Sequence, residues 1–376
     1  MPLILTGTSS STTLDSSAGL TFSDSSNQSA AASPFGLKNR VINGDMVISQ
    51  RGTSAVTIDQ TGGTYTLDRW YGRDDSDGAY SIQQVSDAPT GFTNSLKITI
   101  TTTDSSLSAS QYGFIGQWIE GYNIADLSFG TASAKTVTLS FWVKGSVTGQ
   151  FGGSITNSAQ DRSYPFSYTI SAANTWEQKT VTITGDTTGT WLTTNGAGIG
   201  VNFAVGIGSN FLSTANTWIG SFEMSATGQT NLYATSAATL QFTGVQLERN
   251  TTATPFEWIP YSTELALCQR YYAKLSTNSS NTYAALGSGF ANSLTTANIF
   301  IKYPQTMRSS PTANYNLVGV NDASVQAGVT SLGTGYFGFD SALLAVVTTS
   351  GLTTYRPVLL LTNGSASGFI DFSAEL

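Results

Sequence analysis

The residues that could do chemistry in this sequence are limited first by what is missing. The chain has no histidine, and Cys268 is its only cysteine. Ser-His-Asp and Cys-His catalysis are therefore excluded in their usual forms, as are zinc sites built from histidine or from several cysteines. The sequence contains neither a phosphate loop ending in Lys-Ser/Thr nor the glycine triplet of a dinucleotide site.

Carboxylates are the remaining candidates for catalysis. A pair of them could hydrolyse a glycosidic bond, as in glycosidases. The chain has 23 Asp and Glu residues, so two of them are expected to lie close together by chance. We therefore predict no catalytic residue and expect a protein that is not an enzyme.

An acidic run at residues 74–78 is the best candidate for a metal site. Asp74, Asp75 and Asp77 offer the oxygen ligands that calcium prefers. The run lacks the glutamate that ends the loop of a helix-loop-helix calcium site, and Asp, Ser and Gly are also typical of a β-turn. We expect the acidic turn, with no metal and no cofactor, and keep structural calcium as the alternative.

Aromatic side chains are the candidates for ligand binding. Sugars stack on exposed aromatic rings while neighbouring polar groups bond their hydroxyls. Trp118 and Tyr122 flank Glu120, and Asn123 follows, so these four residues are predicted to contact a glycan. Four more aromatics fall outside regular alternation: Tyr80, Tyr112, Tyr164 and Trp191. The alternative for each is an ordinary place in a core or an interface.

Charge and hydropathy narrow the choice of partners. The net charge is −7, and lysine and arginine form no basic cluster, which argues against nucleic acid and against an anionic membrane surface. No apolar run approaches the ~20 residues of a membrane span. No basic residue precedes the short apolar start, so we expect no secretion signal and maturation in a cytoplasm.

Strand patterns dominate the rest of the chain. Hydrophobic residues make up 40% and charged residues 10%, and residues 95–103, 135–144 and 176–184 alternate between apolar and polar types. The clearest case places Val137, Leu139, Phe141 and Val143 on one face. Many strands and little helical signal predict an all-β fold, with an antiparallel jelly-roll β-sandwich and a second, smaller C-terminal β-sandwich.

Four segments are predicted along the chain. Residues 1–37 are rich in Ser and Thr and cannot build a core, so we expect an extended segment that orders against other chains. Residues 38–260 form the jelly roll, 261–275 a short connecting helix and 276–376 the C-terminal β-sandwich. The helix is inferred from Pro260, a capping Ser262, Glu264 and an apolar stripe that includes Cys268.

Three sets of motifs carry a family resemblance. They are NRVINGDM at residues 39–46 with SQRG at 49–52 and DRW at 68–70; GVQLE at 244–248 with ATPFE at 253–257 and ELALCQRYY at 264–272; and FWVKG at 141–145 with Trp176 and Glu177. Together they resemble a module of phage tail fibres and other virion appendages, which is similar in turn to jelly-roll carbohydrate-binding modules. As architecture, Asp68 and Arg69 beside Trp70 are predicted to form a structural latch, an ion pair stacked on the indole worth about 1–2 kcal/mol.

The resemblance implies a structural component of a phage virion. We expect a tail fibre that contributes to recognition of a host-surface glycan and to adsorption. It also implies a homotrimer that docks on other tail or capsid proteins through residues 1–37, assembled in the host cytoplasm. Two alternatives stay open: a capsid-decorating protein or head fibre, and a connecting tail protein without receptor binding. A polysaccharide-degrading tail enzyme is a further alternative, which the low charge content and the lack of a parallel β-helix pattern disfavour.

Overall fold

The computed structural model describes residues 37–58, 63–277, 282–349 and 351–376, and the backbone of two short strands nearer the start of the chain. Those strands, β1 (Leu20–Thr21) and β2 (Asn27–Gln28), pair antiparallel within a unit of residues 1–38. The predicted attachment and oligomerisation role of residues 1–37 otherwise falls outside the described residues. Residues 39–376 form one compact unit.

Two six-stranded antiparallel sheets form the first sandwich. The strands of this region are β3 (Val56–Ile58), β4 (Thr64–Tyr65), β5 (Tyr71–Asp74), β6 (Ala79–Val85), β7 (Ser95–Thr102), β8 (Tyr112–Glu120), β9 (Val137–Gly145), β10 (Gly149–Asn157), β11 (Ser163–Ile170), β12 (Glu177–Ile183), β13 (Ala197–Ile207), β14 (Leu212–Ser213), β15 (Ser225–Ala226) and β16 (Thr239–Glu248), and all but β14 and β15 belong to the two sheets. The first sheet has the order β11-β10-β13-β8-β5-β4 and the second the order β12-β9-β16-β7-β6-β3.

Short elements connect these strands. Strands β14 and β15 form a separate parallel pair, which joins the two ends of one long loop. The 3₁₀ helices described in this region are Gly121–Asn123, Ala125–Leu127, Ser209–Phe211 and Leu232–Ala234.

The facing surfaces of the two sheets make the main core. Phe203 of the first sheet packs against Phe141 and Phe242 of the second, with ring centroids 5.0 and 4.5 Å apart. Phe141 belongs to the strand with the clearest alternation, and all four of its predicted inward residues are buried. Alternation with period two therefore gave the correct face, because one side of each strand faces the other sheet.

A single α-helix among the described residues follows the first sandwich. It is α1 (Tyr261–Gln269), and the N–H groups of Thr263 and Glu264 donate to the carbonyl of Pro260. The helix begins at the predicted residue, but Pro260 is its N-cap and Ser262 lies inside it, so the predicted capping by Ser262 is wrong. It ends earlier than residue 275, because the chain from Tyr272 onward pairs as a strand. No helix within the described part of the chain is long and apolar enough to cross a membrane.

The C-terminal region is a second β unit. Its strands are β17 (Tyr272–Ser276), β18 (Ala285–Ala291), β19 (Thr296–Lys302), β20 (Thr312–Asn316), β21 (Val318–Asn321), β22 (Gln326–Leu332), β23 (Tyr336–Phe337), β24 (Ser341–Thr348), β25 (Pro357–Thr362) and β26 (Phe369–Ser373). Strands β19-β18-β25-β21-β22-β24 form a ring that closes through pairing of β19 with β24. The three-stranded sheet β17-β26-β20 shares its core with this barrel, through Ile370 and Phe372.

The predicted all-β class, the short helix and the second β unit are confirmed. The closure of the second unit into a barrel was not predicted. The boundaries predicted at residues 260 and 275 stay predictions, since both β units lie within one compact unit.

Candidate functional site

The motif residues converge on a buried junction between the two β units. Asn43, in the left-handed region at φ 57°, donates from Nδ2 to the carbonyls of Ile48 and Asp68 at 2.8 and 2.9 Å. Its own carbonyl accepts from Nε1 of Trp70 at 3.0 Å. The turn near residue 43 is thus tied to the strand that starts after Trp70, which explains why these two motifs occur together.

The predicted latch is formed at the predicted place but with other partners. Asp68 pairs with Arg51 at 3.1 Å, and Arg69 pairs with Glu375. The Arg69 guanidinium stacks on the ring of Tyr271, 3.6 Å from its centroid, whereas Trp70 is taken up by the core. The expected Asp68–Arg69 pair on Trp70 is therefore wrong, because each charge is satisfied by a residue distant in sequence. Burial raises the pKa of Asp68 to about 6, against the opposing charge of Arg51.

Glu120 belongs to the same junction. It is 1% exposed and accepts two hydrogen bonds from Arg270, at 2.9 and 2.6 Å. The hydroxyl of Tyr271 donates a third at 2.6 Å. These donors occupy both carboxylate oxygens. Glu120 thus links the first sandwich to Arg270 and Tyr271, which follow α1, and it does not face solvent.

The four residues predicted to contact a glycan therefore do not form one surface. Trp118 lies on the outer face of the first sheet and is half-buried, while Glu120 is in the junction. Tyr122 is 61% exposed on the 3₁₀ turn beyond the strand, with Asn123 exposed beside it. Only Trp118 remains on a face that also presents other aromatic and polar groups.

Trp118 leans across to the neighbouring strand because glycines make room for it. A Cβ on Gly200 would lie 2.9 Å from the six-membered ring of Trp118, and a Cβ on Gly116 would lie 2.5 Å from Oδ1 of Asn202. Glycine inside a strand often marks such a close approach. The indole and the Asn202 amide thus lie low over the sheet, side by side.

Asn202 carries a polar atom without a partner. The residue is 3% exposed, and its Nδ2 has long contacts to the hydroxyls of Ser154 and Thr156 at 3.5 and 3.4 Å. Its Oδ1 accepts no hydrogen bond from the described residues. A buried amide oxygen without a donor costs free energy, which a ligand hydroxyl or a water would recover.

The remainder of the face is aromatic and partly covered. Tyr65, Tyr71, Phe114 and Tyr112 form a continuous row, with successive ring centroids 5.5, 5.8 and 6.1 Å apart. The loop closed by β14 and β15 packs on one end of this row through Phe211, whose centroid is 5.3 Å from that of Tyr112. Together with Trp118 and Asn202, these four aromatics make up what we call the outer aromatic face.

Sequence reasoning missed Asn202 and its neighbours. A signal was present, since β13 carries Gly198, Gly200, Asn202 and Ala204 at alternate positions. Small side chains along one face of a strand indicate that something lies close to it. The four other predicted aromatics, Tyr80, Tyr112, Tyr164 and Trp191, are buried.

The acidic run is a turn in which only one carboxylate faces inward. Asp74 is buried and accepts from the N–H and hydroxyl of Ser76, at 2.9 and 2.7 Å. Burial raises its pKa. Asp75 and Asp77 point to solvent, and among the described residues no group of three or more His, Cys, Asp or Glu is placed to hold a metal ion.

The barrel exposes apolar side chains on its outside. Phe290, Phe300 and Leu359 are exposed on strands whose alternate residues fill the barrel. Two open depressions of about 590 and 550 Å³ border Phe300 and Phe290, respectively. Exposed apolar patches of this kind mark interaction surfaces.

Comparison with known proteins gives structural matches alone. No family model and no curated protein matches the sequence. The solved structures that resemble it include a putative sugar-binding protein of Bacteroides thetaiotaomicron (13% identity, 57% of this chain and 100% of that one, TM-score 0.30) and a carbohydrate-binding module described as CBM4 (18%, 55% and 98%, 0.29).

A third match is the enzymatically active domain of tailspike protein 4 from bacteriophage CBA120 (12% identity, 56% of this chain, TM-score 0.29). The match spans about a fifth, 21%, of that chain. At these scores none of the matches assigns a family or a ligand to this protein.

Proposed function

We propose that the protein is a non-catalytic, glycan-binding component of a bacteriophage virion, a tail fibre that contacts the host surface. The virion assignment is supported by the sequence motifs that converge on the junction. The glycan assignment is supported by the outer aromatic face of the first sheet. Localisation in the virion, after assembly in the host cytoplasm, is part of the same proposal.

The observation that carries the proposal is the pair formed by Trp118 and Asn202. The half-buried indole offers a flat apolar surface for the C–H face of a sugar ring. Oδ1 of Asn202 lacks a donor among the described residues and is itself buried, so it would accept a hydroxyl from the same sugar once the amide turns outward. A binding site needs both elements, one for affinity and one for orientation.

The state of the nearby carboxylates supports a binding role without catalysis. Glycoside hydrolysis needs one carboxyl group that donates a proton and a second that acts as base or nucleophile. Glu120 is held by Arg270, and Glu375 pairs with both Arg51 and Arg69. Carboxylates held in this way serve the junction, so we propose that the protein binds glycan without cleaving it.

The partners are proposed on different grounds. We propose a homotrimer formed through the exposed apolar outer surface of the barrel, around Phe290, Phe300 and Leu359. Attachment to other tail or capsid proteins is proposed for residues 1–37, on sequence alone.

An adsorption-competition assay tests the function. Host cells are incubated with purified protein, whose oligomeric state is measured by sedimentation, and free phage is counted after mixing. Wild-type protein is expected to block adsorption, and Trp118→Ala to need at least about tenfold more protein for the same effect, as for a buried aromatic contact residue. Tyr261→Ala is the matched control, because it removes an exposed aromatic of α1 that is not part of the outer aromatic face.

Two outcomes would overturn parts of the proposal. A folded, trimeric wild-type protein that does not compete would refute receptor binding and favour a connecting or capsid-decorating role. Release of sugar products from host polysaccharide would refute the absence of catalysis.

A further inference from the structure

One arginine of the chain stands apart from the rest. Of its nine arginines, seven lie within 4 Å of a carboxylate: Arg40, Arg51, Arg69, Arg162, Arg249, Arg270 and Arg356. Arg308 donates to three backbone carbonyls, at 2.8 to 2.9 Å. Arg73 is the remaining one, and no carboxylate of the described residues lies within 4 Å of its guanidinium.

Arg73 stands on the outer aromatic face. It is exposed on β5, and its guanidinium lies over the ring of Tyr112, 5.5 Å from the centroid. Asp75 is the nearest acidic residue along the same side of the chain, two positions further on, and it forms no ion pair with Arg73. The Arg73 side chain also hydrogen-bonds to the side chain of Tyr112, and its remaining N–H donors can bind an anion.

The register of the sheet gives the separation between Arg73 and Trp118. Arg73 pairs with Phe114, and Tyr71 pairs with Gly116. Trp118 is four residues beyond Phe114 on β8, which at roughly 3.3 Å per residue is about 13 Å along the strand. The row from Tyr65 to Tyr112 lies between them, but Tyr71, Phe114 and Tyr112 are buried, so a ligand would contact the protein mainly at Trp118 and Arg73. A glycan that reaches both residues must therefore be longer than one sugar unit.

We propose that the outer aromatic face selects an acidic oligosaccharide, with Arg73 binding the carboxylate of one sugar unit while another unit stacks on Trp118. This inference rests on the proposed glycan binding and adds the class of glycan. Arg73 is the specificity residue because arginine matches a carboxylate through two parallel hydrogen bonds. The chain has a net charge of −7, so an anionic glycan needs a local cation to offset repulsion, and Arg73 supplies one on this face.

The test compares acidic oligosaccharides with neutral forms of the same chains. The probes are galacturonate, mannuronate and sialic acid oligomers of four to six units, each also as its carboxyl-reduced form, titrated by calorimetry into the full-length protein. We expect at least one acidic oligomer to bind about tenfold or more tightly than its reduced form, the size of effect typical of hydrogen bonds to a charged group. Added NaCl should weaken the binding of that acidic oligomer more than the binding of its reduced form.

Four variants separate the possible causes. Arg73→Gln should abolish the preference, so that the acidic and reduced forms bind with about equal affinity, and Arg73→Lys should retain part of the preference. Arg249→Gln, which removes the same charge from a residue paired with Asp126, should leave the preference intact. Trp118→Ala should weaken the binding of both the acidic and the reduced form.

The outcomes for this inference and for glycan binding are distinct. Equal binding of acidic and reduced forms, binding of neutral forms alone, or an acid preference that survives Arg73→Gln would overturn the role of Arg73 and leave glycan binding in place. Failure of wild-type protein to bind any of the probes in either form would overturn the acidic-glycan inference. Glycan binding itself would be refuted if the protein also failed to compete for adsorption.

Discussion

Replacing Glu264 with glutamine should make the protein more stable above neutral pH. Glu264 lies in the first turn of α1, is 5% exposed, and accepts the N–H of Asn43 through Oε1. Burial raises its pKa from 4.5 to about 7, and the charges of Asp45 and Glu257 add to the effect. The folded protein therefore holds a proton on this carboxyl that the unfolded chain has already released.

The sign and size of the effect follow from that difference. A raised pKa in the folded state contributes stability that is complete below the unfolded value of 4.5 and is lost as the pH rises through about 7. At roughly 1.36 kcal/mol per pH unit, the loss amounts to about 3 kcal/mol by pH 8. Glutamine keeps an oxygen for Asn43 and has no proton to lose, so Glu264→Gln should gain about this amount relative to wild type between pH 4.5 and 8.

Urea unfolding of both proteins at pH 4.5, 6 and 8 measures this difference. Subtracting the two curves removes the contribution of other groups that titrate in the same range, Asp68 among them. Asp340→Asn, at an exposed carboxylate, is the control and should show no such trend. If the difference between Glu264→Gln and wild type were the same at all three pH values, burial would not govern this carboxyl.

Two further predictions concern the junction and the binding face. Glu375→Gln should destabilise the fold by about 3–5 kcal/mol in the same unfolding assay, because it leaves Arg69 buried without its partner; a smaller loss than from removing an exposed ion pair would contradict this. Gly200→Ala should displace the Trp118 ring, seen as a changed tryptophan emission, and weaken glycan binding, with some loss of stability because the added Cβ also meets buried Thr156. An unchanged emission and affinity would show that the close packing of Trp118 is not needed.

The sequence predicted the strands better than it predicted the contacts of charged residues. Alternation in residues 135–144 gave the correct buried face, since a strand between two sheets has one side in the core. The helix was predicted too long, because the stripe that ends in Tyr271 and Tyr272 fits a helix locally. Tyr272 instead pairs with Ser373 in a sheet, and this strand partner lies about a hundred residues further along the chain.

The candidate site was predicted only in part for the same reason. Adjacent Asp68 and Arg69 looked like a pair, but their partners Arg51 and Glu375 are set by the tertiary fold. Trp118, Glu120 and Tyr122 are neighbours in sequence, yet Arg270 takes Glu120 into the junction. Residue types suggest which side chains can bind a ligand, whereas long-range packing decides which of them face a common solvent-exposed surface.

The pairing of Arg69 with Glu375 also constrains when this protein can finish folding. The two residues are separated by 306 positions. At 5–20 residues per second, Glu375 is therefore synthesised roughly 15–60 s after Arg69. Until then the first sandwich must keep its junction side solvated or only loosely packed. A nascent chain interrupted before Glu375 would keep an unpaired charge at that surface, which favours its removal over its assembly into a particle.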